Sequence, residues 1–135
     1  MILLLTLLAG VVDLGRAAFT YAILTDAAQE GVVYGSFCPA DTTGMLERIR
    51  QSASSPVDLS TAAITMNCSY IDSDTANETT CASGTPEVGD YVKLEVVMSD
   101  FRMVMPFIGT IIGTQSLTLR GESQSPILTV SCPTN

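Results

Sequence analysis

The sequence predicts an α+β protein with a long, protruding N-terminal hydrophobic helix, a short second helix and a small antiparallel β-sheet head with two disulfides. Three observations predict this fold. The first 24 residues are mostly apolar and contain no proline. Three later stretches alternate between apolar and polar residues, and all four cysteines follow the apolar segment. We therefore divide the chain into an N-terminal helix at residues 1–35 and a disulfide-bonded head at residues 36–135.

The N-terminal helix has the composition of a membrane-crossing segment. Its first twelve residues carry no charge, and the apolar character persists to Leu24. A helix needs about 20 apolar residues to cross a bilayer core. No basic residue precedes the apolar run and the helical pattern extends to about Tyr34, so a cleaved signal peptide is not expected.

A polar and small-residue stripe runs along this apolar helix. Its members lie at helical spacing on one face, and they are Thr6, Gly10, Asp13, Arg16 and Thr20. Charges within a membrane segment are costly and usually paired, and the i, i+3 spacing of Asp13 and Arg16 lets them neutralise each other. Because small and polar residues promote helix contacts in apolar surroundings, we predict that the stripe is an assembly interface. The alternative is a single-pass anchor with an internal ion pair.

The segments that follow predict the head in order. A second helix is expected from about Thr43 to Ala53, with Met45, Leu46, Ile49 and Ala53 on its apolar face. Alternation predicts strands at residues 62–70, 92–96 and 117–120, with a polar loop at residues 72–89. Residues 103–113 are predicted to form a short helix and residues 127–130 a short edge strand. The apolar face of this sheet needs a cover, for which the C-terminal half of the long helix is the natural element.

The four cysteines predict two disulfides in an oxidising compartment. Three connectivities are possible for Cys38, Cys68, Cys81 and Cys132. We favour Cys68–Cys81, which closes a local loop, together with Cys38–Cys132, which ties the tail to the start of the head. Each would stabilise the head by about 3–5 kcal/mol in the chain-entropy model.

Composition argues against several function classes. The net charge of −8 with only six basic residues disfavours nucleic-acid binding. The absence of histidine removes Ser–His and Cys–His catalytic pairs and disfavours zinc. Asp72 and Asp74 begin a pattern similar to a calcium loop, but Asn77 stands where glycine is needed and Ser83 where a bidentate acid is needed. We therefore expect no enzyme activity, catalytic residue, metal or cofactor.

Two short motifs indicate surface positions. Asn67-Cys-Ser and Asn77-Glu-Thr match glycosylation sequons. The sequons predict that Asn67 and Asn77 are accessible, and both asparagines are candidate glycosylation sites.

The order of segments resembles the TadE-like family of the tight-adherence pilus system. The most specific part is Val-Asp-Leu-Gly-Arg at residues 12–16 followed by Ala-Ala-Gln-Glu-Gly at residues 27–31. Tyr-Val-Lys-Leu-Glu-Val-Val at residues 91–97, Met-Pro-Phe-Ile-Gly at residues 105–109 and the strand at Leu117 carry the resemblance into the head. At the fifth position, however, Leu5 stands where pilins usually carry glutamate.

The resemblance implies a type IV pilin-like or pseudopilin-like structural subunit. Such a chain is held in the cytoplasmic membrane by its helix and then polymerises into an extracellular helical filament of identical copies. Its partners would be those copies, the pilus assembly machinery, the membrane before assembly, and surfaces or host cells that the filament adheres to. The alternatives are a minor subunit that primes or caps another filament, and a surface binding domain on a single anchor.

Overall fold

The computed structural model describes residues 1–54, 64–104, 113 and 116–132, apart from the side chain of Ile2. The elements within these residues are α1 (Ile2–Phe37), α2 (Thr42–Ser52), β1 (Ile64–Ile71), β2 (Glu78–Thr80), β3 (Tyr91–Arg102) and β4 (Ser116–Pro126). The strands form one antiparallel sheet in the order β2-β1-β3-β4. The predicted fold class is confirmed.

Helix α1 is long because its sequence is rich in leucine and alanine, which favour the helical backbone. It ends at Phe37, where the backbone N–H of Cys38 still donates to the carbonyl of Tyr34. Pro39 follows and cannot continue the helix. The helix therefore runs two residues beyond the predicted segment 1–35.

Helix α2 begins at a capped N-terminus. The carboxylate of Asp41 accepts a hydrogen bond from the backbone N–H of Gly44 at 2.9 Å and another from the hydroxyl of Tyr34 at 2.7 Å. These two bonds hold the pKa of Asp41 below its usual range. The helix spans Thr42–Ser52 instead of the predicted 43–53, and it buries Met45 and Ile49 as predicted. The cap thus joins the start of α2 to the last turns of α1.

The sheet has one apolar face and one polar face. Val92, Leu94 and Val96 of β3 are fully buried beneath the helices, whereas Lys93 and Glu95 between them face outward. The C-terminal half of α1 supplies the cover, and its buried core residues are Ile23, Leu24, Ala27, Ala28 and Val32. The predicted role of α1 as the lid of the sheet is confirmed.

Two local predictions were wrong. Strand β2 lies inside the predicted polar loop at residues 72–89; its three residues are polar and exposed, so no alternation marked it. Residues 127–130 do not form the predicted edge strand. Instead, the backbone N–H of Ile127 donates to Asp90, and that of Leu128 donates to Ser36 at the end of α1. Of the helix predicted at residues 103–113, residues 105–112 lie outside the described residues.

Two glycines allow the helices and the sheet to approach closely. A methyl group on Gly121 of β4 would lie 2.5 Å from the backbone of Leu24 and Thr25 in α1. A methyl group on Gly31 of α1 would lie 2.7 Å from Leu94 and 2.9 Å from Ile49. Gly31 therefore permits the junction of α1, α2 and β3, and Gly121 permits the contact of β4 with α1.

We predict that Gly121→Ala destabilises the head, because the added methyl group meets backbone atoms that cannot rotate away. Overpacking of this kind costs about 1–3 kcal/mol. Thermal unfolding of the full chain in detergent measures the effect. Gly15→Ala is the control, since a methyl group there has no atom within 4 Å and alanine favours a helix by up to about 1 kcal/mol over glycine. Equal melting temperatures for the two variants would contradict the close approach at Gly121.

Candidate assembly surface

The predicted stripe on α1 lies on the same side of the helix as the residues that pack on the head. Asp13 and Thr20 are buried, Thr6 and Gly10 are half-buried, and Arg16 is exposed. Towards the C-terminus the same face continues at helical spacing as the buried residues Leu24, Ala27, Ala28 and Gly31. The stripe is therefore the N-terminal continuation of the surface that covers the sheet.

Asp13 and Arg16 form an ion pair within α1. The Arg16 Nη1 and Asp13 Oδ1 atoms are 3.5 Å apart, and the exposed fractions of the two side chains are 49% and 7%. The guanidinium of Arg16 also lies over the ring of Phe101 in β3, 5.4 Å from its centroid. Such a contact stabilises by about 0.5–1 kcal/mol at exposed sites and more where water is excluded. Arg16 is thus held from two sides, while half of its side chain stays accessible.

The end of the β3–β4 hairpin covers the stripe. We use "hairpin end" for the described residues Phe101–Val104 with Ser116 and Leu117. A bulge between Met98 and Phe101 shifts the register of β3, and Phe101 is buried against α1. One cavity of about 210 Å³ lies between the hairpin end and α1. Its lining is Gly10, Asp13, Leu14, Ala17, Phe101, Met103 and Leu117.

The remaining surface of α1 is apolar and exposed around the helix. Leucines on different sides of its first turns are exposed by more than half, among them Leu3, Leu4, Leu7 and Leu8. Among the described residues, one helix (Leu3–Phe37) is long and apolar enough to cross a membrane. Because an isolated apolar helix is unfavourable in water, this surface requires lipid or other helices around it.

The cysteines lie in the two favoured pairs at disulfide distance. Cys38 is next to Cys132 with a Cα–Cα separation of 4.7 Å, and Cys68 is next to Cys81 with 5.4 Å. Cys38 directly follows α1, so the first pair ties the C-terminal segment to the end of the helix. The second pair links β1 to the residue that follows β2.

We predict that mass mapping of non-reduced peptides from the mature protein finds both Cys38–Cys132 and Cys68–Cys81. The bridges close chain separations of 94 and 13 residues. In the chain-entropy model these loops correspond to about 4.7 and 3 kcal/mol, so reduction should lower the melting temperature. Four free thiols in the protein isolated from its native cells would contradict this prediction.

The two sequon asparagines lie on the surface of the head. Asn67 is exposed on the outer face of β1, where its amide donates to Glu95 Oε2 at 2.8 Å. With a second bond from Arg120, this contact holds the pKa of Glu95 below its usual range. Asn77 is exposed just before β2. Glycosylation of either asparagine stays a prediction.

The acidic loop around Asp72 uses its carboxylates to hold backbone. Asp72 Oδ1 accepts from the N–H groups of Asp74 and Thr75, which lowers the pKa of this carboxyl. Asp90 accepts from the N–H groups of Ser73 and Glu87. Within the described residues, no group of three or more side chains is arranged to hold a metal ion. The carboxylates of Asp72 and Asp90 stabilise the loop by accepting hydrogen bonds from its backbone.

Sequence reasoning missed the contribution of the hairpin end to this surface. The sequence does not identify Phe101, Met103 and Leu117 as partners of the stripe. The β-bulge just before Phe101 leaves no recognisable pattern in the sequence. One feature of the sequence does indicate an apolar contact here, because no charged residue occurs from Met103 to Leu119.

Comparison with protein families gives one match. The family described as TadE-like protein matches residues 1–32, which confirms the resemblance carried by α1. The resemblance of residues 91–97, 105–109 and 117–119 to that family lies outside the match and stays a prediction. Comparison with curated proteins gives no significant match, and comparison with solved structures gives none.

Proposed function

We propose, from the match of residues 1–32 to the TadE-like family, that this chain is a pilin-like structural subunit of a Tad-type pilus filament. Helix α1 holds the subunit in the cytoplasmic membrane before assembly. After transfer to the filament, the same helix packs with the helices of other copies in the core. The disulfide-bonded heads then form the outer surface of an extracellular fibre.

The observation that carries this proposal is the distribution of burial along α1. From Leu3 to Val12 every residue is exposed or half-buried, and Asp13 is the first buried residue after Leu3. From Thr20 onward one face of the helix is buried against the head. The N-terminal half therefore offers apolar surface that only lipid or other helices can cover, as expected of an anchor that later becomes a filament core.

The ion pair is suited to a contact between subunits. Asp13 compensates the charge of Arg16 inside an apolar surface, where an uncompensated charge costs about 2.5–3.5 kcal/mol on insertion scales. The exposed half of Arg16 keeps donors for a neighbouring helix. We propose that Arg16 contacts a neighbouring helix and that Thr6 and Gly10 allow the two helices to approach closely. Asp13 and Thr20, which are buried against the head, hold α1 in the orientation that presents this surface.

The outer face of the sheet is suited to solvent and to external surfaces. Lys93 lies 3.6 Å from Glu78, and Arg120 lies 3.0 Å from Glu95. Exposed ion pairs of this kind contribute little to stability but keep the surface hydrophilic. This face would carry contacts with abiotic surfaces or host cells.

One observation favours a second role, that of a minor subunit which primes or caps a filament of another protein. The hairpin end of the same chain covers Gly10, Asp13 and Ala17. That cover leaves less of α1 free for neighbours on every side. A subunit at the end of a filament has fewer neighbours and tolerates this loss.

Electron microscopy of sheared cell-surface material, combined with quantitative mass spectrometry, tests the proposal. A main subunit is expected as the most abundant protein of the filaments. A priming subunit is expected at low abundance, with filaments absent from a deletion strain. Normal filaments in the deletion strain, together with confinement of the chain to the membrane in the parent strain, would contradict both roles and favour a single-anchor surface domain.

A further inference from the structure

We propose that the hairpin end enters the lipid bilayer beside α1 before assembly, so that two elements of this chain contact the membrane. The inference rests on the proposed function because it takes α1 as the anchor. It adds a second membrane-contacting element, formed by Phe101–Val104, Ser116 and Leu117, and it commits to lipid as the partner of this surface.

The position of the hairpin end along α1 supports this contact. The hairpin end packs against Gly10, Asp13 and Ala17. The apolar exposed surface of α1 extends further towards the head, to Phe19 and Tyr21, which are 48% and 54% exposed. With a rise of 1.5 Å per residue, Tyr21 lies about 12 Å along the axis from Asp13. The hairpin end is therefore level with apolar helix surface that lipid has to cover.

The chemistry of the hairpin end matches that of the neighbouring helix surface. Val104 is 68% exposed and Leu117 is 43% exposed, so neither side chain is buried in the core of the head. The sequence from Met103 to Leu119 contains no charged residue. The exposed apolar side chains of Val104 and Leu117 extend the apolar surface of α1, so a bilayer that surrounds the helix at this level also meets the hairpin end.

Two arginines mark the expected depth of insertion. Arg16 and Arg102 line one cavity of about 300 Å³ together with Phe19 and Phe101. Each arginine is paired with an aspartate at 3.5 Å, and long basic side chains can extend from apolar surroundings to the headgroups. Aromatic residues are likewise enriched at the membrane interface. We place the edge of the hydrocarbon core at Arg16 and Arg102.

The backbone limits how deep the hairpin end can go. Backbone polar groups that face hydrocarbon without a partner are strongly unfavourable. Insertion is therefore confined to the boundary between headgroups and acyl chains, about 5–10 Å deep, as in interfacial elements of other proteins.

Tryptophan quenching tests this inference directly because the chain contains no tryptophan. Four single variants of the full chain are reconstituted in vesicles of phosphatidylcholine and phosphatidylglycerol, with part of the phosphatidylcholine brominated in its acyl chains. Leu117→Trp and Val104→Trp report on the hairpin end, and Leu8→Trp reports on the anchor. Val88→Trp reports on the head, where Val88 is 65% exposed.

We expect brominated lipid to quench Leu8→Trp most strongly, to quench Leu117→Trp and Val104→Trp less strongly but with blue-shifted emission, and to leave Val88→Trp almost unquenched. Quenching of Leu8→Trp alone would overturn the hairpin contact while leaving the anchor intact. Quenching of none of the four would overturn both the contact and the anchor. Val104→Trp lies beyond the last residue of β3, so it reports on the hairpin end even if Leu117→Trp fails to fold.

Discussion

Replacing either Asp13 or Arg16 by alanine is expected to abolish filament assembly while the head stays folded. Asp13→Ala leaves the half-exposed Arg16 in apolar surroundings without its carboxylate, which costs about 2.5–3.5 kcal/mol. Arg16→Ala removes the cation beside the buried Asp13 and leaves its carboxylate uncompensated in apolar surroundings, which costs about 2.5–3.5 kcal/mol on insertion scales. Electron microscopy of surface filaments and mapping of the two disulfides separate assembly from folding.

The double variant Asp13→Ala/Arg16→Ala distinguishes two roles of the pair. It carries no uncompensated charge, so it should accumulate in the membrane like the native chain. We expect it not to assemble, because the donors of Arg16 that reach a neighbour are missing. Arg48→Ala is the matched control, since Arg48 also lies over an aromatic ring, that of Tyr34, at 5.6 Å. Native filament yield from the double variant would show that the pair merely neutralises itself.

Deleting residues 1–18 is expected to convert the chain into a soluble, folded monomer. This deletion removes most of the exposed apolar half of α1 and retains the buried residues from Thr20 onward. Phe101 loses its cover, so some self-association at high concentration is expected. A cooperative thermal transition and a monomeric mass by light scattering would confirm a head that folds independently of the projecting half.

A longer deletion provides the comparison. Removing residues 1–24 also takes away Ile23 and Leu24, which are 8% and 0% exposed, together with the helix backbone that Gly121 packs against. Loss of one buried leucine side chain alone costs about 2–5 kcal/mol. We therefore expect a much lower melting temperature than for the shorter deletion. Equal stability of the two proteins would contradict the described packing of α1 on β4.

The division into an anchor at residues 1–35 and a head at residues 36–135 describes the parts that the two segments would play in a filament. This division stays a prediction. Folding follows a different boundary, because Ile23–Val32 of α1 supply part of the core that covers the sheet. A head designed to begin at residue 36 would expose Val92, Leu94 and Val96. Expression of an isolated head thus requires the second half of α1.

The main elements could be predicted because each has a strong local pattern. The apolar run predicts α1, the alternation around Leu94 predicts β3, and the cysteines predict two covalent ties. Strand β2 could not be predicted, since three exposed polar residues gain their strand conformation only by pairing with β1. The segment after Pro126 is short and mainly apolar, which favours an edge strand, but hydrogen bonds to Asp90 and Ser36 determine its path.

The stripe on α1 shows what helical periodicity leaves undetermined. The spacing of Gly10, Asp13 and Thr20 places them on one face of the helix, and in the structure Gly10 is half-buried while Asp13 and Thr20 are buried. It does not indicate whether that face meets another chain or the head of its own chain. The structure places Phe101 and Leu117 of the same chain against this face, and the spacing of residues within α1 does not indicate such a long-range contact.

In the proposed filament, α1 of one copy lies against α1 of another. A photoreactive amino acid in place of Leu7, which is 64% exposed on α1, tests this claim in intact filaments. The same amino acid at Val88, which is 65% exposed on the head, serves as the control. We predict a ladder of cross-linked dimers and higher multimers of this chain from position 7 and mainly monomer from position 88. Monomer alone from position 7, in filaments that contain the chain, would contradict contact between the α1 helices of neighbouring subunits.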